Sequence, residues 1–416
     1  MWFSSSKKDE SEVIGIIDIG SSQISGAILS LSEKKELVKD SSAKTVEEKP
    51  IADRLIFSYQ EKITFAESPD ANRFLSAISE ALKKVLINLK ANQKPPTRFF
   101  VFLSSPFFIS QTRVINYESE RPVTINDNLI QNLLKAETDK FFATAGQIFS
   151  LGADDKHEII ENRILRVKLN GYESKEPIGQ TAQSLSLSQF LSVGPSSLLN
   201  KIEGLVQSEI AEAKISFHTF SLTAYQTFSR LIDKKYRNFV LIDTGGEITD
   251  ILVVADGVLA EHLSFPKGKN YLIREMAKKM GTVFAEASSA MEVYQNGKAS
   301  VVLKNRIETA LTEIKKDWLA SFKEAISRVT ETVFLPENFF ILGDDPTDAI
   351  FVDFIEKENM IELSLSQSNF DVIFVDNSIL TGTIPAKQRL PNNLFLFVES
   401  YYCDKIYSKS QSLYFL

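Results

Sequence analysis

The chain has little cysteine, little histidine and no excess of positive charge. Among its 416 residues there is one cysteine, Cys403, so no intrachain disulfide can form, which fits a reducing cytoplasm. The three histidines, His157, His218 and His262, lie far apart without ligand spacing and read as surface or core residues rather than a metal site. No Cys–His pairing, serine-nucleophile elbow or Gly-x-x-x-x-Gly-Lys-Ser/Thr loop is visible. A net charge of −7 and a pI of about 5.4 argue against nucleic acid as a partner, because phosphate backbones call for a basic face. No apolar run approaches the roughly 18 residues of a membrane span. The start, MWFSSSKKDESE, has no apolar segment long enough for a secretory signal, and Trp2 and Phe3 read as a frayed tail. The expected place is the cytoplasm, with at most a peripheral contact at the inner face of the cell membrane.

What is present is a soluble composition, 44% hydrophobic and 24% charged, in a chain long enough for two or more domains. EVIGIIDIG and QISGAILSL read as two strands joined by a Gly-Ser turn. ANRFLSAISEALKKVLINLK has helical spacing and ends before ANQKPPTR, where two prolines mark a boundary. From about 97 to 214, strands such as FFVFLSS, EIIENRILRVKLNG and SLSLSQFLSVG alternate with helices INDNLIQNLLKAETDKFF and PSSLLNKIEGLVQSEIAEA, an α+β insert. A helix over 220–232 leads to a three-stranded meander, NFVLIDTGG, EITDILVVAD and VLAEHLSFP. Helices follow, including one long or two collinear ones over LKNRIETALTEIKKDWLASFKEAISRVTETV, then strand-turn-helix in ENFFILGDDPTDAIFVDFIEKE and a late strand, FDVIFVD. Trp318 falls at helical spacing with Leu319 and Phe322 and reads as core. The aromatic tail is expected to return onto the body. Its end, ESYYCDKIYSKSQSLYFL, alternates more like a strand than a helix.

One pattern occurs twice. IGIIDIG followed by Ser21 and Ser22, and FVLIDTGGE, each run an apolar strand into Asp, one residue, then glycine and a small residue. Asp18 and Asp243 are 225 positions apart (243 − 18). Glycine lets backbone approach a ligand closely, successive amides in such turns make anion-binding concavities, and a carboxylate can hold hydrated Mg²⁺ beside a phosphate. Two such hairpins facing each other would grip a polyphosphate from both sides.

IDIGSSQISGAI resembles the first phosphate motif of the actin-like ATPase superfamily, and LIDTGGEITDILVV the second. VLAEHLSFPKGKNYLIREMAKKMGTVFAEA and VKLNGYESKEPIGQTAQSLSLSQFLSV resemble segments of the FtsA/PilM branch, the latter within its SHS2-type inserted subdomain. The resemblance covers roughly residues 12 to 357. It implies an α/β, two-lobed actin-like ATPase fold, with a duplicated ribonuclease H-like core and an α+β insert. The implied division is 12–96 for the first part of lobe 1, 97–214 for the insert, 215–237 for a connecting helix of lobe 1, 238–385 for lobe 2 and 386–416 for a C-terminal segment. It also implies ATP with Mg²⁺. Asp18 and Asp243 would hold the metal through water and carry the catalysis with Gln226. Gly20, Ser21, Ser22 and Gln23 would cradle one phosphate, and Thr244, Gly245, Gly246 and Glu247 the next. Gly268, Lys269 and Asn270 would open a helix flanking the nucleotide, where an N-terminus and a lysine suit an anion, although a solvated Lys269 is the plain alternative. Gly343 and Asp344 would lie by the adenosine. Asp250 is as open to a structural role, capping the hairpin, as to metal contact.

Several departures weaken that site. Asp344 and Asp345 stand where the family's adenosine motif has glycines, Phe220 where FtsA-like chains tend to carry glutamate, and Gln23 where a basic residue is frequent. Gln226 is a substitute water-orienting group; loss of such a group costs about 10²- to 10⁴-fold. At most a slow ATPase is expected. Three functions remain open: an FtsA-like, self-associating division component meeting a tubulin-like protein; a PilM-like adaptor for pilus membrane proteins; and a pseudo-ATPase scaffold. The insert speaks against a sugar kinase.

Overall fold

The two similar hairpins seed two sheets of the same plan. In the computed structural model of the chain, the described residues are 12–31, 51–63, 65, 71–148, 156–232, 235–330, 335–343, 346–356, 358, 360, 369–375 and 393–407. In the first sheet β1 (Val13–Ile19) pairs antiparallel with β2 (Gln23–Ser30), and β2 with β3 (Leu55–Lys62). On its other side β1 pairs parallel with β4 (Arg98–Leu103), and β4 with β9 (Lys214–Thr219). The second sheet repeats this with β12 (Val258–Phe265), β11 (Thr249–Ala255), β10 (Phe239–Thr244), β13 (Asn338–Leu342) and β14 (Asp371–Val375), in that order. Its first two pairings are antiparallel and its last two parallel.

The central strands β1 and β10 have apolar residues on both faces, as fully covered strands do. On β1, Ile17 and Ile19 enter a core with α2 (Ala71–Lys90) and α4 (Ser196–Glu209). Ile14 and Ile16 enter a second core on the opposite face. On β10, Val240 and Ile242 meet α6 (Lys269–Met280), α8 (Val301–Thr330) and α9 (Ala349–Glu356). Phe239 and Leu241 join Ile14 and Ile16 in the second core. That shared core also takes in α5 (Phe220–Leu231) and α10 (Leu394–Tyr401). The strand period of two therefore puts Asp18 and Asp243 on the inner faces, at the carboxyl ends of equivalent strands. The long helix is one element, α8, and its Trp318 is fully buried, stacked on Phe322 with centroids 5.2 Å apart.

A third sheet, of order β5-β8-β6-β7, consists of β5 (Ile109–Thr124), β6 (His157–Leu169), β7 (Tyr172–Glu173) and β8 (Thr181–Pro195), with α3 (Asp127–Ile148) against it. Asn170 and Gly171, both at positive φ (50° and 83°), make the turn from β6 to β7, as an Asn-Gly pair permits. β4, which the sequence reading placed inside the 97–214 insert, pairs into the first sheet instead, between β1 and β9, and α4 packs there too.

The C-terminal stretch corrects another expectation. It is helical: α10 runs directly into a π-helical turn, Tyr402–Tyr407. Asn393 caps it by accepting from the Leu396 amide at 3.0 Å. Leu394, Leu396, Phe397, Val398, Tyr402, Cys403 and Ile406 are all buried. The π turn is tied to the short helix α1 (Ile51–Arg54) by a buried bidentate pair, Arg54 to Asp404 at 2.5 and 2.7 Å.

Candidate functional site at the seam between the two sheets

The two hairpin turns meet. Gly246 lies against the other turn so closely that a Cβ there would stand 2.6 Å from the Ser22 Cβ and 2.8 Å from the Ser22 nitrogen. The Glu247 amide donates to Ser21 Oγ at 2.9 Å across the contact. Gly20 closes its own turn, its amide donating to the Gln23 carbonyl at 3.0 Å. Gln23 accepts from Gln60 of β3. A cavity of about 30 Å³ remains between the turns, lined among others by Asp18, Ser105, Asp243, Lys269 and Phe395. That is room for about one water. A larger groove, about 790 Å³, runs from Glu247 and Ile248 of the second turn along α6, past Tyr271 and Lys278, to the start of α7 (Phe284–Gln295).

Behind the second turn stands the start of α6. The amides of Gly268, Lys269 and Asn270 donate to the carbonyls of Glu247, Gly245 and Gly246 at 3.1, 2.9 and 2.7 Å. The helix N-terminus expected to face an anion thus holds the turn itself. Gly268 is required by this closeness, since a Cβ there would lie 2.7 Å from the Gly246 carbonyl oxygen. Glu247 is gripped by Arg274 at 2.6 and 3.0 Å and by Asn270 Nδ2 at 2.9 Å. Lys269 is no solvated charge: its Nζ sits 3.2 and 3.3 Å from the two oxygens of buried Asp348. Thr244 also donates to Asp348, at 3.0 Å. Gly343 lets Asp348 come close, as a Cβ there would lie 2.7 Å from Asp348 Oδ2. Asp344 and Asp345 lie outside the described residues.

The acids of the seam outnumber its bases. Asp18, Asp243, Asp250 and Asp348 are at most 7% exposed. Asp243 Oδ1 is buried without a hydrogen-bond partner. Burial pushes the Asp243 carboxyl well above the usual carboxylate range, Asp250, Asp348 and Asp18 add to this, and Lys269 opposes it. Asp250 accepts from Ser105 Oγ at 2.8 Å and meets His262 Nε2 at 3.2 Å, while His262 Nδ1 meets Ser110 Oγ of β5 at 2.6 Å. These contacts fasten the seam to the third sheet. Gln226 is buried on α5, with an unpartnered Oε1.

The residues present fit the expected cofactor only in part. Carboxylate oxygens, one of them unpartnered, are what a hard cation takes. The space between the two turns, about 30 Å³, is smaller than the roughly 300–1,000 Å³ of a ligand pocket, so a phosphate chain enters between them only if the turns part. Among the described residues, no cluster of three or more His, Cys, Asp or Glu side chains has metal-holding geometry. Likewise, no described helix is long and apolar enough to cross a membrane.

Sequence reasoning missed Phe395, Asp348, Arg274 and Glu399. Asp348 had a signal, being the last acid of the GDDPTD run. Glu399 had another, as the lone acid in LFLFVESYY.

No family model and no curated protein sequence matches the chain. Solved structures do. A PilM–PilN type IV pilus biogenesis complex chain is similar with a TM-score of 0.55 at 11% identity, covering 88% of this chain and 89% of that one. A Bacteroides thetaiotaomicron protein with an actin-like ATPase fold and unknown function has a TM-score of 0.39 at 10% identity, over 90% and 96% of the two chains. The ethanolamine utilization protein EutJ from Carboxydothermus hydrogenoformans has a TM-score of 0.38 at 10% identity, over 87% and 84%. The duplicated sheet order and the PilM likeness together establish that this chain has the two-lobed actin-like ATPase fold.

Proposed function

We propose that the chain is a PilM-like assembly adaptor: an actin-fold scaffold that keeps its lobes closed on each other and offers its outer surfaces to partner proteins at the membrane. The observation that carries this reading is the direct seating of Gly246 on Ser22, with Ser21 accepting from Glu247. A turn filled by the opposite turn needs no polyphosphate to bridge it. The PilM neighbour comes from a complex with PilN in type IV pilus biogenesis, which supports pilus membrane proteins as the partner class. In this role the residues of the seam fix lobe geometry rather than turn over substrate.

A second reading, an FtsA-type division component that binds Mg-ATP, hydrolyses it slowly and self-associates beside a tubulin-like protein, draws on one feature. Asp18 and Asp243 line the same cavity, and Asp243 Oδ1 has no partner. Calorimetric titration of Mg-ATP separates the two. The adaptor reading expects no heat at millimolar nucleotide, and capture of the protein by the cytoplasmic tail of a pilus membrane protein. Micromolar binding that is lost in both Asp18→Ala and Asp243→Ala would replace it with the nucleotide-dependent reading.

A further inference from the structure

The turn from β11 to β12 collects cations from three parts of the molecule. Asp256 and Gly257 make that turn, both at positive φ (52° and 74°), as a tight hairpin requires. Arg166 of β6 donates from Nη1 to the Asp256 carbonyl at 3.0 Å and to Asp256 Oδ2 at 2.7 Å. Lys168 of the same strand lies 3.6 Å from Oδ2, and Arg237, just before β10, lies 2.8 Å from Oδ1. The Tyr225 hydroxyl of α5 donates to the Gly257 carbonyl at 3.0 Å. Burial pushes that hydroxyl up to about 12, while the charges of Arg166 and Arg230 act in the other direction. Arg230, exposed in the last turn of α5, therefore stands beside the same ring, and no acid among the described residues pairs with it.

The balance of charge here is the reverse of the chain's. Four bases, Arg166, Lys168, Arg230 and Arg237, meet two acids, Asp256 and Glu173 of β7, in a chain whose net charge is −7. Asp256 shows what these groups take, since its two carboxylate oxygens are divided between guanidinium groups that arrive from different sheets. Arginine's planar fork suits a carboxylate better than the point charge of lysine does. The outer side is open: the side chains of Asp256 and Arg237 are 54% and 61% exposed. Arg166 is recessed, its side chain 16% exposed. A flat bilayer meets projecting bases and misses a recessed one, whereas a narrow segment carrying carboxylates reaches both.

We infer that Arg166, Lys168, Arg230 and Arg237 form the docking site for an acidic segment of a partner protein, one that carries several Asp or Glu side chains in succession. This rests on the adaptor reading and adds to it the chemistry of the partner. The four bases come from β6 of the third sheet, from α5 of the shared core and from the entry to β10 of the second sheet. A docked segment therefore bridges all three, and the closed seam keeps the site assembled.

Fluorescein-labelled deca-glutamate is the probe, titrated with the full chain and followed by fluorescence anisotropy at about 50 mM salt, where exposed charges are weakly screened. The wild type should bind it, and Arg230→Glu and Arg237→Glu should each weaken binding about three- to tenfold. Lys316→Glu changes the net charge by the same amount on the exposed side of α8, which covers the opposite face of the second sheet, and should leave binding unchanged. Asp256→Asn is a variant that gains. Asparagine tolerates the left-handed backbone, and loss of the resident carboxylate should tighten binding by a similar factor. No anisotropy change with about 200 μM wild-type chain, equal losses in all three charge reversals, or no gain in Asp256→Asn would overturn the site. So would sedimentation of the chain with vesicles of about 30% phosphatidylglycerol, lost in Arg230→Glu, while deca-glutamate stays unbound; that result assigns the face to a bilayer. No nucleotide enters these titrations. Mg-ATP binding in the calorimeter removes the adaptor reading and leaves the titrations as they stand, and failure of deca-glutamate without nucleotide heat removes the acidic partner alone.

Discussion

The two hairpin turns share a sequence signature and differ in what stands behind them. In the second turn, three successive carbonyls are taken by the amides that open α6, Glu247 is clamped by Arg274 and Asn270, and Thr244 shares Asp348 with Lys269. The first turn is held by its own Gly20–Gln23 bond, by the Ile63 amide donating to the Ser22 carbonyl at 2.7 Å, and by the serine that leans on the second turn. One turn is a buttressed platform and the other is seated on it. The same residues written twice therefore do not make two equal halves of a site. A helix N-terminus is useful to an anion only while its amides are free, and here the protein's own backbone has taken them.

The largest test of that asymmetry is Lys269→Met. It removes one partner of a buried ion pair, the Lys269 ammonium 3.2 Å from Asp348, which is 1% exposed. A loss of about 3–5 kcal/mol is expected in urea unfolding. A loss below about 1 kcal/mol would mean the platform does not depend on this pair.

Next come the glycines. Gly268→Ala and Gly246→Ala push a Cβ into backbone atoms of the second turn and of the first, respectively; each should cost about 1–3 kcal/mol, the usual range for forced overpacking. Gly20→Ala places its Cβ 3.2 Å from the Gln23 carbonyl oxygen, and a shift of a few tenths of an ångström relieves it. Its cost should be visibly smaller. Equal costs in a denaturation series would erase the distinction between platform and rider.

Much of this was readable from residues alone, for definite reasons. β1, β2, β10 and β11 were legible because a continuous apolar run ending in Asp-x-Gly is a local signal. α2 was legible because its apolar stripe faces one core. β4 was read as part of the insert, and β9 went unread as a strand ahead of its helix, because the two partners are more than 100 residues apart and parallel pairing leaves no local trace. The end of α10 and the π turn, within the stretch from Glu399 onward, read as strand-like because α10 and most of the turn are buried, so the 3.6-residue period that marks an amphipathic helix is missing. Within the site, the repeated Asp-x-Gly pair was visible, as was the doubtful quality of its surroundings. What no stretch could reveal was the contact of Gly246 with Ser22, which depends on how two lobes sit, or the arrival of Phe395 and Glu399 from the far end of the chain.

The second turn should also show itself by pH, through Asp243. The Asp243 carboxyl is raised in the folded protein, so its uncharged form is the one folding favours. Stability is then highest below its unfolded value and falls as pH rises, by about 1.4 kcal/mol per pH unit, until the folded value is passed. Asp243→Asn abolishes that part of the slope, so the variant should gain on the wild type between pH 5 and 7 in paired urea titrations. An unchanged slope would assign the pH dependence elsewhere, with Glu399, whose carboxyl burial also raises, the first alternative.

The smallest expected effect is the finest probe of the seam. Ser21→Ala deletes the acceptor of the Glu247 amide. That amide is partly buried, so losing its partner should cost about 1 kcal/mol. Ser22→Ala keeps the Cβ that touches Gly246, and among the hydrogen bonds described here the Ser22 hydroxyl takes no part; its effect should stay within about 0.5 kcal/mol. The pair discriminates hydrogen bonding across the seam from mere packing. If both variants are neutral, the turns are held together by the shared core beneath them, Ile16, Leu241, Phe220 and the residues of α10, and the contact between the turns follows from that core. If Ser21→Ala alone loses stability and its Glu247 amide exchanges faster than the wild type's, the turns themselves keep the lobes closed.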